Sequence, residues 1–324
     1  MKKNIAIIMG GYSSEVEISL KSGNVVYKHL DKEKYDAYRV HILKNKWVMV
    51  DENDNEHPIN KHDFSTTVNG YKITFDCVFN AIHGTPGENG VILAYFDLIG
   101  LKHTSAPFYQ MALTFNKRDT LSVVKQYGIP TATSIYMNEG DEISTKNIIE
   151  KVGLPCFVKP NNAGSSFGIS KVHTEAELIP AIEKAYKEDS EILIESFLDG
   201  TEVSVGVIQY KGETKVLPIT EIVSENDFFD YEAKYLGKSQ EITPARLSST
   251  QENRVREVAK RVYEILNMSG FSRSEYIFVN DEPHFLEMNT VPGLTEASIL
   301  PQQANNEGIS LAQLFSNAIE QALK

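Results

Sequence analysis

The chain has 324 residues, 41% of them hydrophobic, enough for two or three packed domains and too much for a peptide, a stapled mini-protein or a disordered tail. It carries 32 basic and 44 acidic residues, and the net charge of −12 argues against a partner such as a nucleic-acid backbone or an anionic membrane. A small local basic pocket for an anion such as a nucleotide stays open.

The opening, MKKNIAIIMGGYSSEVE, begins like a signal peptide, but Gly10, Gly11, Glu15 and Glu17 cut its apolar run short. It reads as strand, glycine turn, helix. Residues 4–9 form an Ile-rich strand that Gly10-Gly11 breaks. Ser13 or Ser14 caps a helix from Glu15 to about His29, and Glu15 and Glu17 suit its positive end. Strands follow at 38–42 and 46–50, then a polar turn and loop over 51–62. Residues 77–82 form another short strand, ending in the loop HGTPGENG at 83–90, and 91–99 is helical. Strand and helix alternating over a hundred residues predict a parallel α/β layer sheet.

Near residue 104 the pattern changes. A helix carrying Asn116, Lys117 and Arg118 is followed by Gly128-Ile129-Pro130. A small α+β unit comes next, with strands at 133–137, 156–159 and 169–172, helices at 145–152 and 175–187, and a loop at 161–168. A third unit opens with a strand at 192–196 and continues with strands at 202–208 and 214–220. Residues 222–246 are polar and aromatic. A loop that long is a lid or binding loop, or else a disordered surface loop, and Phe228, Phe229, Tyr231 and Tyr235 favour the lid. A helix at 249–266, a hairpin of 273–279 and 284–288, and a closing amphipathic helix complete the chain. The expected domains are 1–104, 105–191 and 192–324, of α/β and in part α+β class. Cys77 and Cys156 sit in hydrophobic runs without a CxxC spacing and read as buried free thiols in a reducing compartment. No segment reaches spanning length, so a soluble cytoplasmic protein is expected.

Three constellations carry chemistry. Glu287 and Asn289 are two apart on one strand, as are Arg273 and Glu275 on the strand before it, so each pair points to one face. A turn around 280–283 brings Glu275 roughly level with Glu287. Two carboxylates and an amide oxygen on one face make an all-oxygen site suited to Mg²⁺. The alternative is a solvated strand face with a structural salt bridge from Arg273. In CFVKPNNAGSSFGISKV, Gly164, Ser165, Ser166 and Gly168 expose N–H groups and hydroxyls that cradle phosphate oxygens, and Lys159 adds a charge. It is not GxxxxGK[ST], and alone it is also an ordinary turn. In EILIESFLDGTE, Glu195 and Glu202 flank a strand end, where they could accept from an adenine amino group and ribose hydroxyls. The turn MGGYSSE lacks the third glycine of GxGxxG, and no acidic residue ends the second strand, so an NAD-dependent dehydrogenase is disfavoured.

Together these residues resemble the ATP-grasp superfamily and, within it, the D-alanine–D-alanine ligases. The resemblance covers nearly the whole chain through MGGYSSEVEISL, AIHGTPGENG, FNK at 115–117, FVKPNNAGSSFGISKV, ILIESFLDGTE, FFDYEAKY, SRSEYIF and FLEMNTVPGLTEASILP. Eight motifs in the family's order are specific where no single one is. The resemblance implies an N-terminal α/β domain followed by central and C-terminal α+β domains with ATP between them. Lys117, Lys159, Ser166 and Lys234 would bind ATP. Glu195 and the backbone near Leu198 would hold adenine, and Glu202 the ribose. Glu275, Glu287 and Asn289 would bind two Mg²⁺ (or Mn²⁺). Glu15 would hold the ammonium of the first D-alanine, with His83 close by. Ser165 and Tyr235 would bond to Glu15 or to each other when the lid closes. Ser298 and Ile299 would receive the second carboxylate, and Arg273 and the Gly293 N–H the oxyanion.

The implied chemistry is consistent with these groups. ATP turns a carboxylate into an acyl phosphate, cations neutralise the transferring phosphoryl group, and fixed donors hold the tetrahedral oxyanion. Two departures stand out: the family often has Asp where this chain has Glu275, and Ser where it has Val291. Tyr235 favours an amine over D-lactate as second substrate, hence a dipeptide for peptidoglycan. The alternatives are a D-alanine–D-lactate or D-alanine–D-serine ligase, and a non-catalytic nucleotide-binding module. The resemblance also implies a homodimer.

Overall fold

In the computed structural model, residues 2–162, 164, 167–224 and 239–324 are described. The N-terminal sheet starts with β1 (Lys3–Gly11), connected through helix α1 (Val16–His29) to β2 (Tyr35–Leu43), which runs parallel to it. β3 (Lys46–Val50) and β4 (Glu56–Pro58) extend that edge, and β5 (Thr66–Val68) and β6 (Tyr71–Ile73) form a separate hairpin. β7 (Cys77–Asn80) pairs parallel with β1 on its other side. Helix α2 (Val91–Leu98) leads to β8 (Lys102–His103), parallel to β7.

The sheet is therefore mixed, since β3 and β4 are antiparallel. Two residues, Lys44 and Asn45, separate β2 from β3, too few for a parallel crossover. Two further expectations need correction. β1 continues through Gly10 and Gly11, which pair with Ile42 and Leu43. No serine caps α1: its N-cap is Glu15, and Ser13 Oγ instead accepts the Glu15 N–H at 3.2 Å.

The helix expected around Lys117 is two helices, α3 (Phe108–Phe115) and α4 (Lys117–Gln126). Asn116 leaves helical geometry between them, and its side chain caps α4 by accepting the Asp119 N–H at 2.9 Å. The four-stranded antiparallel sheet that follows comprises β9 (Ser134–Asn138), β10 (Cys156–Pro160), β11 (Ser170–Val172) and β12 (Glu191–Ser196), in the order β11-β10-β12-β9. Helices α5 (Thr145–Val152) and α6 (Glu175–Tyr186) cover one face with Ile148, Val152, Leu178 and Ile182. Phe157, Lys159 and Glu195 lie on the opposite face. β12 pairs with β10 and β9, so the expected division between 191 and 192 would cut a strand from its own sheet.

The C-terminal sheet holds β13 (Thr201–Tyr210), β14 (Glu213–Val216), β15 (Thr220–Ser224), β16 (Ser239–Ile242), β17 (Phe271–Val279) and β18 (Glu282–Asn289). Its order is β16-β15-β13-β17-β18, with β14 also on β13. The strand expected over 214–220 is two strands, because Pro218 lacks the N–H a ladder needs. Helix α7 (Ser249–Ile265) begins with a Ser248–Gln251 capping box. The closing helix is also two, α8 (Ile299–Asn306) and α9 (Leu311–Ala322), broken at Gly308 and restarted by a Ser310–Gln313 capping box. Among the described residues, no helix is long and apolar enough to cross a membrane.

The outer two sheets share their cores. Phe79 of β7 meets Phe315 of α9 at 5.6 Å, while Val78, Leu93 and Met111 join a cluster that runs into Val203, Val262 and Phe285. The N-terminal loops are thus fixed against the C-terminal sheet. Gly90 anchors one of them: its φ is +80° and an added Cβ would lie 2.3 Å from the Phe108 carbonyl oxygen. Gly90→Ala is expected to cost about 3 kcal/mol, combining left-handed strain with overpacking against backbone. Denaturant unfolding checks this; a loss below about 1 kcal/mol would contradict it. Cys77 and Cys156 are buried free thiols, and burial pushes them up to about 12 and about 11.

Candidate active site

The hairpin β17–β18 sets the site. Its register pairs Arg273 with Asn289 and Glu275 with Glu287, so four polar side chains share one face. The turn is tighter than expected, formed by Asn280 and Asp281, both at positive φ, and a bulge follows Glu275. Glu275 is 4% exposed. Arg273 Nη2 lies 2.8 Å from its Oε1, yet among the described residues neither Glu275 oxygen has a hydrogen-bond partner. A buried carboxylate with unused lone pairs is suited to a cation.

This face closes one wall of a cavity of about 320 Å³. Glu15, Ile18 and Lys21 line it from the start of α1, His83 and Glu88 from the loop after β7, and Lys117 from α4. Gly164 reaches it from the central sheet, Glu241 from β16, and Gly293, Ser298 and Ile299 from the segment that opens α8. A Cβ at Gly164 would lie 2.9 Å from Glu15 Oε2, so the loop after β10 abuts the loop after β1.

Both lysines stand beside carboxylates. Lys117 Nζ is 3.4 Å from Glu287 Oε2, and Lys159 Nζ is 2.8 Å from Glu195 Oε2. Burial works against the Lys159 charge, but Glu195, Glu287 and Glu202 outweigh it and raise its pKa. Glu195 Oε1 is buried without a hydrogen-bond partner among the described residues, which leaves an acceptor for a donor from outside the chain. Glu202 lies on β13, and Leu198 is half-buried in the turn between β12 and β13.

Ser298 is the N-cap of α8, but its side chain does not cap that helix. It bonds Thr295 Oγ1 at 2.8 Å. The positive end of α8 thus faces the cavity, an arrangement that suits a carboxylate.

His83 is held neutral. Burial lowers its pKa to about 4, with Arg273 adding to the effect and a backbone bond at Val291 opposing it. Its Nε2 is 3.0 Å from Ser22 Oγ, which accepts the Leu294 N–H at 3.3 Å. The unfolded chain, with an ordinary value near 6.5, takes up a proton first as pH falls. The stability held by neutral His83 is therefore present above about pH 6.5 and is lost towards pH 4, by about 3 kcal/mol. The stability difference between the native protein and His83→Gln should shrink from pH 7 to pH 4.5 in urea titrations; a constant difference would contradict it.

Of the residues singled out in the sequence, Glu15, His83, Lys117, Arg273, Glu287, Asn289, Gly293, Ser298 and Ile299 line this one cavity. Ser165, Ser166, Lys234 and Tyr235, with most of the 222–246 segment, lie outside the described residues. Glu88, Glu241 and Lys21 also line it and were missed. Glu88 lies in the glycine-rich loop at 83–90, and nothing local shows that the charge is buried. Burial, and secondly Glu15, raise its pKa to about 7. Glu241 is raised by burial and by Glu275, against the pull of Arg273.

Comparison with known proteins agrees with this geometry. Residues 4–106 match the family described as D-ala D-ala ligase N-terminus, and residues 123–320 match D-ala D-ala ligase C-terminus. The D-alanine–D-alanine ligase of Flavobacterium johnsoniae is 72% identical over 321 residues, covering 99% of both chains. That of Phocaeicola vulgatus is 45% identical, again over 99% of both. Among solved structures, the VanG D-Ala:D-Ser ligase from Enterococcus faecalis superposes with a TM-score of 0.88 at 31% identity, covering 99% of each chain. The D-alanine–D-alanine ligase from Bacillus anthracis complexed with ATP superposes with a TM-score of 0.80 at 27% identity, covering 99% of this chain and 97% of that one. With both halves matched and full-length identity this high, the chain belongs to the D-alanine–D-alanine ligase family.

Proposed function

We propose that this chain joins two D-alanines into D-alanyl-D-alanine at the expense of ATP, as a step towards peptidoglycan. The observation that carries the reading is the convergence on one cavity of Arg273, Glu287 and Asn289 from the β17–β18 hairpin, Glu15 and the start of α8. The names of the relatives support it.

Two Mg²⁺ (or Mn²⁺) ions belong to this reading. Among the described residues, no three His, Cys, Asp or Glu side chains are grouped to hold an ion by themselves. Mg²⁺ is commonly bound by one or two carboxylates together with substrate phosphates and water. Glu275, Glu287 and Asn289 fit that division, with the unused oxygens of Glu275 as its anchor. Bound there, the metal supplies charge neutralisation at the phosphoryl group.

The protein's own groups do the rest. Glu15 receives the ammonium of the first D-alanine and places its carboxylate near the γ-phosphate. Lys117 and Lys159 leave their carboxylate partners for the phosphates, with Ser166 and Lys234 of the undescribed segments assisting. Glu195 takes the adenine amino group, the backbone near Leu198 the ring, and Glu202 the ribose. Phosphoryl transfer to the carboxylate yields an acyl phosphate. The Ser298 hydroxyl and Ile299 N–H hold the second carboxylate, and its free amine attacks the acyl carbon. Arg273 and the Gly293 N–H hold the oxyanion until phosphate leaves. Ser165 and Tyr235 join Glu15 when the lid closes, which keeps water from the acyl phosphate.

Domains close to 1–104, 105–196 and 197–324 divide these tasks. The chain acts in the cytoplasm, where ATP is at hand. It pairs as a homodimer through the N-terminal unit, on which Val91 and Leu98 expose apolar surface. Phosphate release that depends on D-alanine, with dipeptide as the product by mass, tests the function. Depsipeptide formed with D-lactate would overturn the second-substrate assignment, and no turnover with either would overturn the activity.

A further inference from the structure

The reaction as derived gives no role to Glu88, a buried carboxyl of the cavity wall. Glu88 is 8% exposed and Glu15 is 9% exposed, and both line the cavity. They converge on Gly84. The Gly84 N–H donates to Glu88 Oε2 at 3.0 Å, and a Cβ at Gly84 would lie 3.1 Å from Glu15 Oε2. The Glu88 N–H donates back to the Gly84 carbonyl at 2.7 Å, so the loop closes on itself. A backbone bond at Thr290 ties the Glu88 carboxyl to the segment after β18. Its position is therefore set by backbone.

We propose that Glu88 is a second carboxylate of the pocket for the first amino acid's ammonium, facing Glu15 across Gly84. The inference rests on reading the cavity as the amino-acid site. A buried acid beside another carboxylate resists ionisation. Burial and Glu15 favour the protonated form of Glu88 up to about neutral pH. Below neutral pH Glu88 therefore carries a proton. An entering ammonium takes the proton's place: the Glu88 O–H bond breaks, the proton passes to solvent, and two carboxylates share the cation. The other charged groups around the cavity are Lys21 on α1, Lys117 on α4, Glu241 on β16, Arg273 on β17 and Glu287 on β18, while His83 is neutral. Lys117 faces Glu88 and favours its ionised form, so release of the proton is assisted from α4. A first substrate lacking an amine would bring no cation to take the proton's place, which makes Glu88 a specificity determinant.

Calorimetry of D-alanine binding, with Mg²⁺ and a non-hydrolysable ATP analogue, tests this in two buffers of different ionisation enthalpy. The native protein should release roughly one proton per first-site D-alanine at pH 6.5, falling towards none by pH 8.5. Glu88→Gln should abolish the release and raise KM for D-alanine about tenfold, by more than it lowers kcat. Glu88→Asp should restore part of both. Equal proton release and KM in native and Glu88→Gln proteins would overturn the proposal, as would no release by the native protein. The native measurement stands even if Glu88→Gln fails to fold. Undiminished D-alanine binding in Glu15→Gln would overturn the reading of the cavity itself.

Discussion

Replacing Glu287 by Gln is expected to lower kcat by about a thousandfold or more while the protein stays folded. The side chain lies opposite Glu275 and beside Lys117, so it acts on both the metal and the phosphate-binding lysine. Loss of one fixed electrostatic stabiliser typically costs 10²–10³ in rate. Here the change removes a ligand charge and also alters the Lys117 environment. The fold is spared because the Glu287 side chain is 34% exposed and the amide keeps its shape. Phosphate release at saturating ATP and D-alanine, repeated over a range of Mg²⁺ concentrations, is the measurement. A loss under tenfold, with unchanged Mg²⁺ dependence, would remove Glu287 from the metal site.

Arg273→Ala is expected to damage both rate and stability. Arg273 lies against the buried Glu275 carboxylate, with only 13% of its own side chain exposed. Truncating one partner of a buried pair typically costs about 3–5 kcal/mol, because the other charge stays buried. The rate should fall by about 10²–10³ from the loss of an oxyanion donor. Arg273→Lys separates the two effects. It keeps a charge near Glu275 and should recover most of the stability. It lacks the planar fork, so the rate should stay about a hundredfold down. Mg²⁺ should raise the melting temperature of Arg273→Ala more than that of the native protein, since it supplies the missing charge beside Glu275. Urea unfolding and phosphate release would decide. Native stability in Arg273→Ala would mean that the Arg273–Glu275 pair contributes nothing to folding.

Much of this was readable from local patterns. Glu287 and Asn289 share a face because strand side chains alternate, and that parity needs no tertiary information. The opposition of Glu275 and Glu287 followed from the expected hairpin turn, to within a residue of register. The helices at 145–152 and 249–265 were evident from apolar periodicity and terminal polar residues. Errors came where one short signal had to decide a boundary. Asn116 both ends α3 and caps α4, so one residue carries the whole boundary. β12 read as the opening of the third unit because strand pairing is non-local: its partners β10 and β9 lie before it in the chain.

The sequence by itself determined the family, the class of chemistry and about half of the residues that line the cavity. These rest on residue type, strand parity and motif order, all of which act over a few positions. Only the tertiary structure decided that His83 is neutral, that Glu88 faces Glu15, and that Lys117 and Lys159 rest against Glu287 and Glu195. Those facts depend on burial and on charges brought close from distant segments. A carboxylate in a glycine-rich loop looks the same in sequence whether water or another carboxylate surrounds it, and that surrounding sets its charge.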